Sequence, residues 1–251
     1  MANDILLETR DLSREFSGFL AVNNVALRVR RGTIHALIGP NGAGKTTVFN
    51  LLTRFLDPTR GIILYRGEDI TRARPAEIAR RGLVRSFQMS AVFPSLTVLE
   101  NVRVALQREL GTSFKFWRSE RTLSALDERA MALLASVGLA DAHADLAVEL
   151  PYGRKRALEL ATTLALDPEL LLLDEPTQGM GHEDVGRVTA LIERVAAHRT
   201  VLMVEHNLSV VADLSDVITV LSRGSVLAEG SYREVARDPR VLEAYLGSAE
   251  A

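Results

Sequence analysis

Cysteine is absent from the 251 residues of this sequence, which excludes both a disulfide framework and a metal site built on thiolates. An excess of charge of one sign is absent too, because 30 basic residues are spread evenly among 32 acidic ones. Nucleic-acid binding requires a basic face or tail, so a nucleic-acid partner is not expected.

Long hydrophobic runs are also lacking. The densest apolar run, within residues 169–176, is far shorter than the roughly 18 residues that a membrane-spanning helix needs. The first sixteen residues carry early acidic side chains and no long apolar segment, so they do not match a secretory signal peptide. Any membrane role is therefore expected to depend on a partner.

The residues that are present predict an α/β fold. Apolar residues make up 47% of the chain, which is enough for the core of one large domain or two small ones. Alternating or short apolar runs predict strands at Ile5–Thr9, Val25–Val29, Thr33–Ile38, Ile62–Tyr65, Leu170–Leu173 and Thr200–Val204, with hairpin turns at Arg31–Gly32 and Arg223–Gly224. Helical periodicity is found at Thr46–Leu52, Pro75–Arg81, Val98–Leu106, Arg118–Val137, Ala144–Leu150 and Gly153–Leu166. Residues 89–150 contain no convincing strand, which indicates an inserted helical subdomain.

A glycine-rich loop joins the strand Ile34–Ile38 to the following helix. Its sequence, GPNGAGKT, matches the GxxxxGK[ST] pattern of a phosphate-binding loop. Its backbone N–H groups can converge on phosphate oxygens, while Lys45 reaches the β and γ phosphates and the Thr46 hydroxyl binds magnesium. The alternative is a glycine-rich turn before a helix. The predicted nucleotide-binding residues of this loop are Gly39, Asn41, Gly42, Gly44, Lys45, Thr46 and Thr47.

Acidic residues follow the leucine-rich strand Leu170–Leu173 directly. Ligands of a parallel sheet bind at the carboxyl ends of its strands. Asp174 is therefore predicted to hold magnesium, and Glu175 to polarise an attacking water as general base. A solvated loop start is the alternative for this pair.

Two further polar residues end apolar stretches. Gln88 ends GLVRSFQ and could contact the metal or the water through its amide, and His206 follows TVLMVE and could bond the γ phosphate or the water. Taken singly, a surface glutamine and a structural histidine are the ordinary interpretations. Their order and spacing relative to the other motifs favour the catalytic interpretation.

In that order the motifs resemble those of the ATP-binding cassette (ABC) ATPases, over essentially the whole chain. The Walker A loop, the Q-loop glutamine Gln88, a helical subdomain, a signature segment near residue 150, Walker B through Glu175 and the switch histidine His206 follow one another as in that family. The resemblance implies ATP and Mg²⁺ as ligands. It also implies a P-loop NTPase (RecA-like) α/β core with an antiparallel β subdomain, covering 1–88 and 158–251, and an inserted α-helical subdomain at 89–157. An aromatic residue that stacks on adenine in the family would be Phe16, for which a core phenylalanine is the alternative.

The signature departs from the family pattern. Where the family has LSGGQ, this chain has LPYGR, and Pro151 lacks both a hydroxyl and an N–H group. Leu150, Tyr152 and Gly153 would still contact the nucleotide of a second ATPase, with Arg154 adding a cation nearby. Gly181 also replaces a common aspartate of the D-loop. These departures lead to the hypothesis that the two ATP sites of a heterodimer are unequal.

Longer phrases look like the ATPase subunits of branched-chain amino-acid importers. They are IGPNGAGKTTVFNLLTRFLDPTRG, RSFQMSAVFPSLTVLENVRVAL, MVEHNLSVV and VARDPRVLEAYLG, together with about twenty extra residues at 107–127. The resemblance implies a second ATPase subunit, integral membrane permease subunits and, indirectly, a solute-binding protein as partners. It implies a location on the cytoplasmic face of the inner membrane. The permease docking surface is expected around Met89–Val98, although AVFPSL could pack on the core. The FKFWR cluster at 114–118 could contact membrane subunits or simply pack.

The sequence is also compatible with other functions. Importers of urea and short-chain amides have closely similar ATPases. A soluble ABC ATPase acting on DNA or ribosomes would carry coiled-coil insertions, paired cassettes or basic arms, which this sequence lacks. A non-hydrolysing regulatory subunit is suggested by the altered signature but disfavoured by Glu175 and His206. A GTPase is disfavoured because no [NT]KxD segment is present.

Overall fold

The computed structural model describes residues 4–86, 92–107 and 126–246. Its internal contacts divide the chain into two compact units. The sheet unit comprises Met1–Arg85, Glu169–Gln178 and Glu193–Ala251, and the helical unit comprises Ser86–Pro168 and Gly179–Ile192.

The strands of the described residues form two sheets. In chain order they are β1 (Ile5–Phe16), β2 (Phe19–Val25), β3 (Arg28–Arg30), β4 (Ile34–Ile38), β5 (Arg60–Tyr65), β6 (Glu68–Asp69), β7 (Leu83–Ser86), β8 (Leu170–Asp174), β9 (Thr200–Val204), β10 (Val217–Ser222) and β11 (Ser225–Gly230). One sheet has the order β2-β1-β5-β6, with β3 also paired to β1, and its pairings are antiparallel. The other has the order β11-β10-β4-β9-β8-β7.

The centre of the second sheet is parallel and fully buried. β4 pairs in parallel with β9 and β10, and β9 with β8. All five residues of each of β4, β8 and β9 are buried, as expected for strands covered on both faces. The carboxyl ends of β4, β8 and β9 therefore meet at one edge of the sheet, where β8 ends at Asp174 and where the phosphate loop, Glu175 and Glu205 follow the strands.

The α-helices of the described residues, in chain order, are α1 (Lys45–Leu52), α2 (Pro75–Arg80), α3 (Val98–Leu106), α4 (Asp127–Ser136), α5 (Tyr152–Leu164), α6 (His182–Ala196), α7 (Leu208–Leu214), α8 (Tyr232–Val235) and α9 (Pro239–Leu246). In the sheet unit, α1 buries Val48, Phe49 and two leucines in the same hydrophobic core as the strands. This packing fixes the helix that begins at the phosphate loop.

In the helical unit, α3 packs against α4 and α5. A capping box starts α3, since the Thr97 hydroxyl accepts from the Glu100 N–H at 3.2 Å and the Glu100 carboxylate accepts from the Thr97 N–H at 2.7 Å. The buried Asn101 side chain bonds both the N–H and the carbonyl of Phe93. The segment before α3 is therefore tied to the helix by side-chain hydrogen bonds.

Most of the predicted elements that fall within the described residues are confirmed, and three are wrong. The predicted strand Val25–Val29 is instead the end of β2 and the start of β3, because residues 26 and 27 between them belong to no strand. Arg31–Gly32 is not a hairpin turn, because β3 pairs with β1 whereas β4 joins the other sheet. Residues 144–150 form no α-helix but a single short 3₁₀ turn at Ala147–Glu149. β1 extends to Phe16, well beyond the predicted end at Thr9. A turn at Ser17 and Gly18, whose φ angles are 47° and 89°, then joins it to β2.

Candidate functional site

The phosphate loop runs from the end of β4 to the start of α1. At two of its positions only glycine fits. Gly39 has φ 149°, and a Cβ there would lie 2.1 Å from the Leu221 carbonyl oxygen; Gly44 has φ 100°, and a Cβ there would lie 2.6 Å from the Ala21 carbonyl oxygen. Both glycines therefore let the loop backbone pass close to neighbouring carbonyl groups, which a side chain would prevent.

Lys45 is the first residue of α1 and is only 6% exposed. Its Nζ donates to the carbonyl oxygens of Gly39 at 2.7 Å and Pro40 at 3.0 Å. Burial lowers the pKa of Lys45, and the negative charges of Glu175 and Asp174 oppose that shift. The ammonium group thus lies within the loop, in the field of the predicted general base Glu175 and the predicted magnesium ligand Asp174.

A cavity of about 310 Å³ opens beside this loop, entirely within the sheet unit. Its size lies at the lower end of the range of small-molecule sites. The lining brings together loop backbone, one lysine, two threonine hydroxyls, one carboxylate and one imidazole. The lining residues are Phe19, Ala21, residues 41–47, Glu175 and His206.

Asp174 ends β8 and is 1% exposed. Its carboxylate forms an ion pair with the guanidinium of Arg85 on β7. The same guanidinium donates to the Asn50 side-chain oxygen at 2.6 Å and lies 5.7 Å from the centre of the Phe49 ring. Arg85 therefore links Asp174 to the phosphate-loop helix. Sequence reasoning missed this residue, whose one signal is a charge inside the apolar stretch LVRS.

Glu175 and His206 meet across the ends of β8 and β9. His206 Nε2 lies 2.5 Å from Glu175 Oε1. Glu175 has φ 48°, a conformation that non-glycine residues rarely adopt, and its N–H donates to the Val204 carbonyl at 2.9 Å. The predicted general base and the predicted histidine are thus direct neighbours.

Glu205 is a second residue that sequence reasoning missed. It follows β9 directly and is 2% exposed. Its carboxylate accepts hydrogen bonds from Thr177, His206 and Asn207. A charge at the end of a five-residue apolar strand was the available signal.

Phe16 ends β1 and is 37% exposed. The Arg14 guanidinium lies 4.5 Å from the centre of its ring, which covers one face of the ring. Among the described residues, Phe19 lines the cavity and Phe16 does not. Phe19 is 68% exposed, so an aromatic face is available beside the phosphate loop.

The signature segment lies in the helical unit at the start of α5. Leu150 is buried, Pro151 caps the helix, and Tyr152 is 56% exposed. A Cβ on Gly153 would lie 2.9 Å from a carboxylate oxygen of Asp184. Arg154 pairs with the Asp141 carboxylate at 2.5 Å, and this hydrogen bond is the main cause of the lowered pKa of Asp141.

Gln88, residues 89–91 of the predicted docking segment and the FKFWR cluster at 114–118 lie outside the described residues. Gly181 precedes α6, and its carbonyl accepts from the Val185 N–H at 3.0 Å. No α-helix in the described ranges 4–86, 92–107 and 126–246 combines the length and the apolar character that crossing a membrane requires.

Comparisons with known proteins agree with this geometry. The family model "ABC transporter" matches residues 22–178, and the model "Branched-chain amino acid ATP-binding cassette transporter" matches residues 225–251. The high-affinity branched-chain amino acid transport ATP-binding protein BraF of Pseudomonas aeruginosa is 40% identical over 97% of this chain and 98% of its own length. LivG of Escherichia coli K12, which has the same descriptive name, shows 40% identity over 97% of this chain and 98% of its own length.

A solved structure extends the agreement to the fold. The crystal structure of the ADP conformation of MJ1267, an ATP-binding cassette of an ABC transporter, is similar with a TM-score of 0.86 and 30% identity, covering 98% of this chain and all of that one. The predicted P-loop NTPase fold, with its antiparallel and parallel sheets, is confirmed. This chain belongs to the ATP-binding subunits of ABC transporters, a family of nucleotide-binding ATPases.

Proposed function

We propose that this chain hydrolyses ATP to drive import of branched-chain amino acids through separate membrane subunits. The observation that carries the proposal is the 40% identity to BraF and to LivG, which extends over nearly the full length of this chain and of each relative. The branched-chain family match at residues 225–251 supports it over the urea and amide alternative.

The phosphate loop and Lys45 bind the triphosphate in this proposal. The loop N–H groups surround the phosphate oxygens at the positive end of α1, and the Lys45 ammonium contacts the β and γ phosphates. Gly39, Gly42 and Gly44 allow the backbone to approach, while Asn41 and Thr47 complete the lining. An aromatic ring, Phe16 by resemblance or Phe19 by its exposure in the cavity, receives the adenine.

The residues near the loop also suit magnesium. The Thr46 hydroxyl, the Asp174 carboxylate and the Gln88 amide would hold the ion, and hard oxygen donors of this kind are those that Mg²⁺ prefers. Thr46 lines the cavity, and Asp174 is buried at the end of β8. The ion would neutralise negative charge on the phosphates.

Glu175 is the proposed general base. It takes a proton from the water whose oxygen attacks the γ-phosphorus, while ADP leaves on the opposite side. His206, 2.5 Å from the Glu175 carboxylate, orients that carboxylate or bonds the γ phosphate. Both carboxylate and imidazole line the same cavity as Lys45, which supports a joint role.

A second ATPase subunit completes each site in this proposal. Leu150, Tyr152 and Gly153 present the start of α5 to the nucleotide of that partner, with the helix dipole replacing part of what the usual serine supplies. Binding of two ATP molecules closes the pair, and hydrolysis reopens it. The division into a core of 1–88 and 158–251 and a helical subdomain of 89–157 stays a prediction.

The permease subunits would bind an exposed apolar patch of the helical unit. Phe93, Leu146 and Val148 are 52%, 38% and 54% exposed. Their segments are joined by backbone hydrogen bonds, one of them from the Val148 N–H to the Pro94 carbonyl at 3.1 Å. The exposure of Phe93 within AVFPSL supports docking of a partner over simple packing on the core. This surface would hold the chain at the cytoplasmic face of the inner membrane, with a solute-binding protein acting indirectly.

Purification of the chain from solubilised membranes tests the proposal. We expect membrane-spanning subunits and a second ATPase to accompany it. In nanodiscs, with the matching solute-binding protein added, ATP hydrolysis should rise with leucine, isoleucine or valine and stay unchanged with urea or acetamide. Stimulation by urea or amides alone would favour the alternative importer. Recovery without any membrane subunit would contradict both transport functions.

A further inference from the structure

The carboxylate of Glu205 is surrounded by hydrogen-bond donors. Oε1 accepts from the Thr177 N–H at 3.0 Å and from the Thr177 hydroxyl. Oε2 accepts from the N–H groups of His206 at 2.7 Å and Asn207 at 3.0 Å. Four donors therefore converge on one side chain that is 2% exposed.

This arrangement requires an acceptor-only group. An ionised carboxylate accepts at both oxygens and donates nowhere, whereas a carboxamide of the same shape would direct an NH₂ group toward two of the four donors. Hydrogen bonds to a charged acceptor are also stronger than neutral ones. The four contacts thus compensate the cost of burying the charge, and a glutamine could not replace it.

The donors belong to the two loops that carry the proposed catalytic pair. Thr177 lies two residues after Glu175, and His206 is bonded directly through its own N–H. Glu205 therefore ties the loop after β8 to the loop after β9. These loops hold Glu175 at φ 48° and bring its carboxylate to 2.5 Å from His206 Nε2. A strained residue keeps such a conformation only when its surroundings fix it.

We propose that Glu205 is a positioning residue for ATP hydrolysis, which sets the separation and orientation of Glu175 and His206. The proposal rests on the roles proposed above for those two residues. Glu205 itself does not line the cavity beside the phosphate loop. Its effect on the reaction passes through the backbone of Thr177 and His206.

Glu205→Gln in the assembled transporter tests this role. Because a misplacement of about 1 Å in a catalytic group costs about a hundredfold in rate, we expect kcat to fall about tenfold to a hundredfold. The KM for ATP and the affinity of the isolated chain for nucleotide should change less than about twofold, since the phosphate loop is untouched. The rates are measured below the unfolding temperature of each variant, determined by circular dichroism.

Glu229→Gln is the matched control. Glu229 also accepts from a threonine hydroxyl, that of Thr219 at 2.6 Å, but it lies on β11 and does not line the cavity. Its kcat should equal that of wild type. If Glu205→Gln lowers only the unfolding temperature and leaves kcat within about threefold of wild type, Glu205 is merely structural and the proposal fails.

Thr177→Val covers the case in which Glu205→Gln does not fold. It removes one of the four donors, and we expect a smaller loss of kcat in the same direction. A double-mutant cycle with His206→Ala adds a second readout, because positioning through His206 predicts that the two losses are not additive. Additive losses would overturn the proposal. If Glu175→Gln leaves the ATPase activity unchanged, the proposed function itself is contradicted.

Discussion

The phosphate cavity of the sheet unit and the signature segment of the helical unit differ in how closely they follow the family pattern. Lys45, Glu175 and His206 all line the cavity and follow one another in the expected sequence order. Glu175 contacts His206 directly, and its charge acts on Lys45. The signature has a proline where a serine is usual, and its arginine is engaged by Asp141.

The difference is consistent with where each region acts. Side chains proposed to act inside their own unit are held by ion pairs and hydrogen bonds, as Asp174 is by Arg85 and the loop of His206 is by Glu205. A segment proposed to contact a partner through backbone N–H groups and a helix dipole places fewer demands on its side chains. We therefore expect substitutions in the cavity to have larger effects than substitutions in the signature.

The largest expected effect is that of Glu175→Gln. Removing the proposed general base should lower kcat by about a hundredfold or more while leaving nucleotide affinity nearly unchanged. The measurement is ATP turnover of the assembled transporter beside nucleotide binding to the isolated chain. The same change in the glutamate of the partner ATPase sharpens the comparison: unequal losses would support unequal sites, and equal losses would contradict that hypothesis.

Arg85→Ala should have the next largest effect. It breaks an ion pair with a carboxylate that is 1% exposed, and breaking a buried ion pair by removing one of its members typically costs about 3 kcal/mol or more. We expect the urea midpoint to fall and magnesium-dependent nucleotide binding to weaken. Arg85→Lys restores the charge without the fork-shaped contact to Asn50, so it should recover only part of the loss. Unchanged stability in Arg85→Ala would show that this link contributes nothing.

Arg85 and Glu205 also show the limit of sequence reasoning. The phosphate loop and the buried strands were predictable because turn chemistry and periodicity are local properties. Arg85 bonds a carboxylate 89 positions away, and Glu205 bonds a threonine 28 positions away, so their roles depend on which strands become neighbours. The prediction of a hairpin turn at Arg31–Gly32 failed for the same reason, because β3 and β4 pair with strands of different sheets.

A smaller effect is expected from pH. Burial lowers the pKa of His35, on β4, to about 4 from 6.5. Between those values the unfolded chain binds a proton that the folded chain does not, so stability is full above the unfolded pKa and is lost as the pH falls. One unit corresponds to about 1.36 kcal/mol, so we expect a loss of about 2 kcal/mol between pH 7 and pH 5, measured by urea unfolding.

Two variants determine whether His35 is the source of that loss. His35→Gln, which keeps a polar group near the Thr219 hydroxyl that His35 Nε2 contacts at 2.7 Å, should flatten the pH dependence. His143→Asn changes an exposed histidine of the helical unit and should leave it as in wild type. An unchanged slope in His35→Gln would assign the loss to other groups.

The smallest effect is expected at Gly153, and it tests the comparison most directly. A Cβ there would meet the end of the Asp184 side chain at 2.9 Å, which can move, and alanine is favoured over glycine in a helix by about 1 kcal/mol. These effects oppose each other, so Gly153→Ala should change unfolding free energy by less than about 1 kcal/mol. In contrast, Gly44→Ala would place its Cβ 2.6 Å from the Ala21 carbonyl at φ 100° and should abolish nucleotide binding. Calorimetry measures the unfolding and the nucleotide binding of both variants. If Gly153→Ala loses as much stability and nucleotide affinity as Gly44→Ala, the signature is as tightly constrained as the cavity, and its altered sequence needs another explanation.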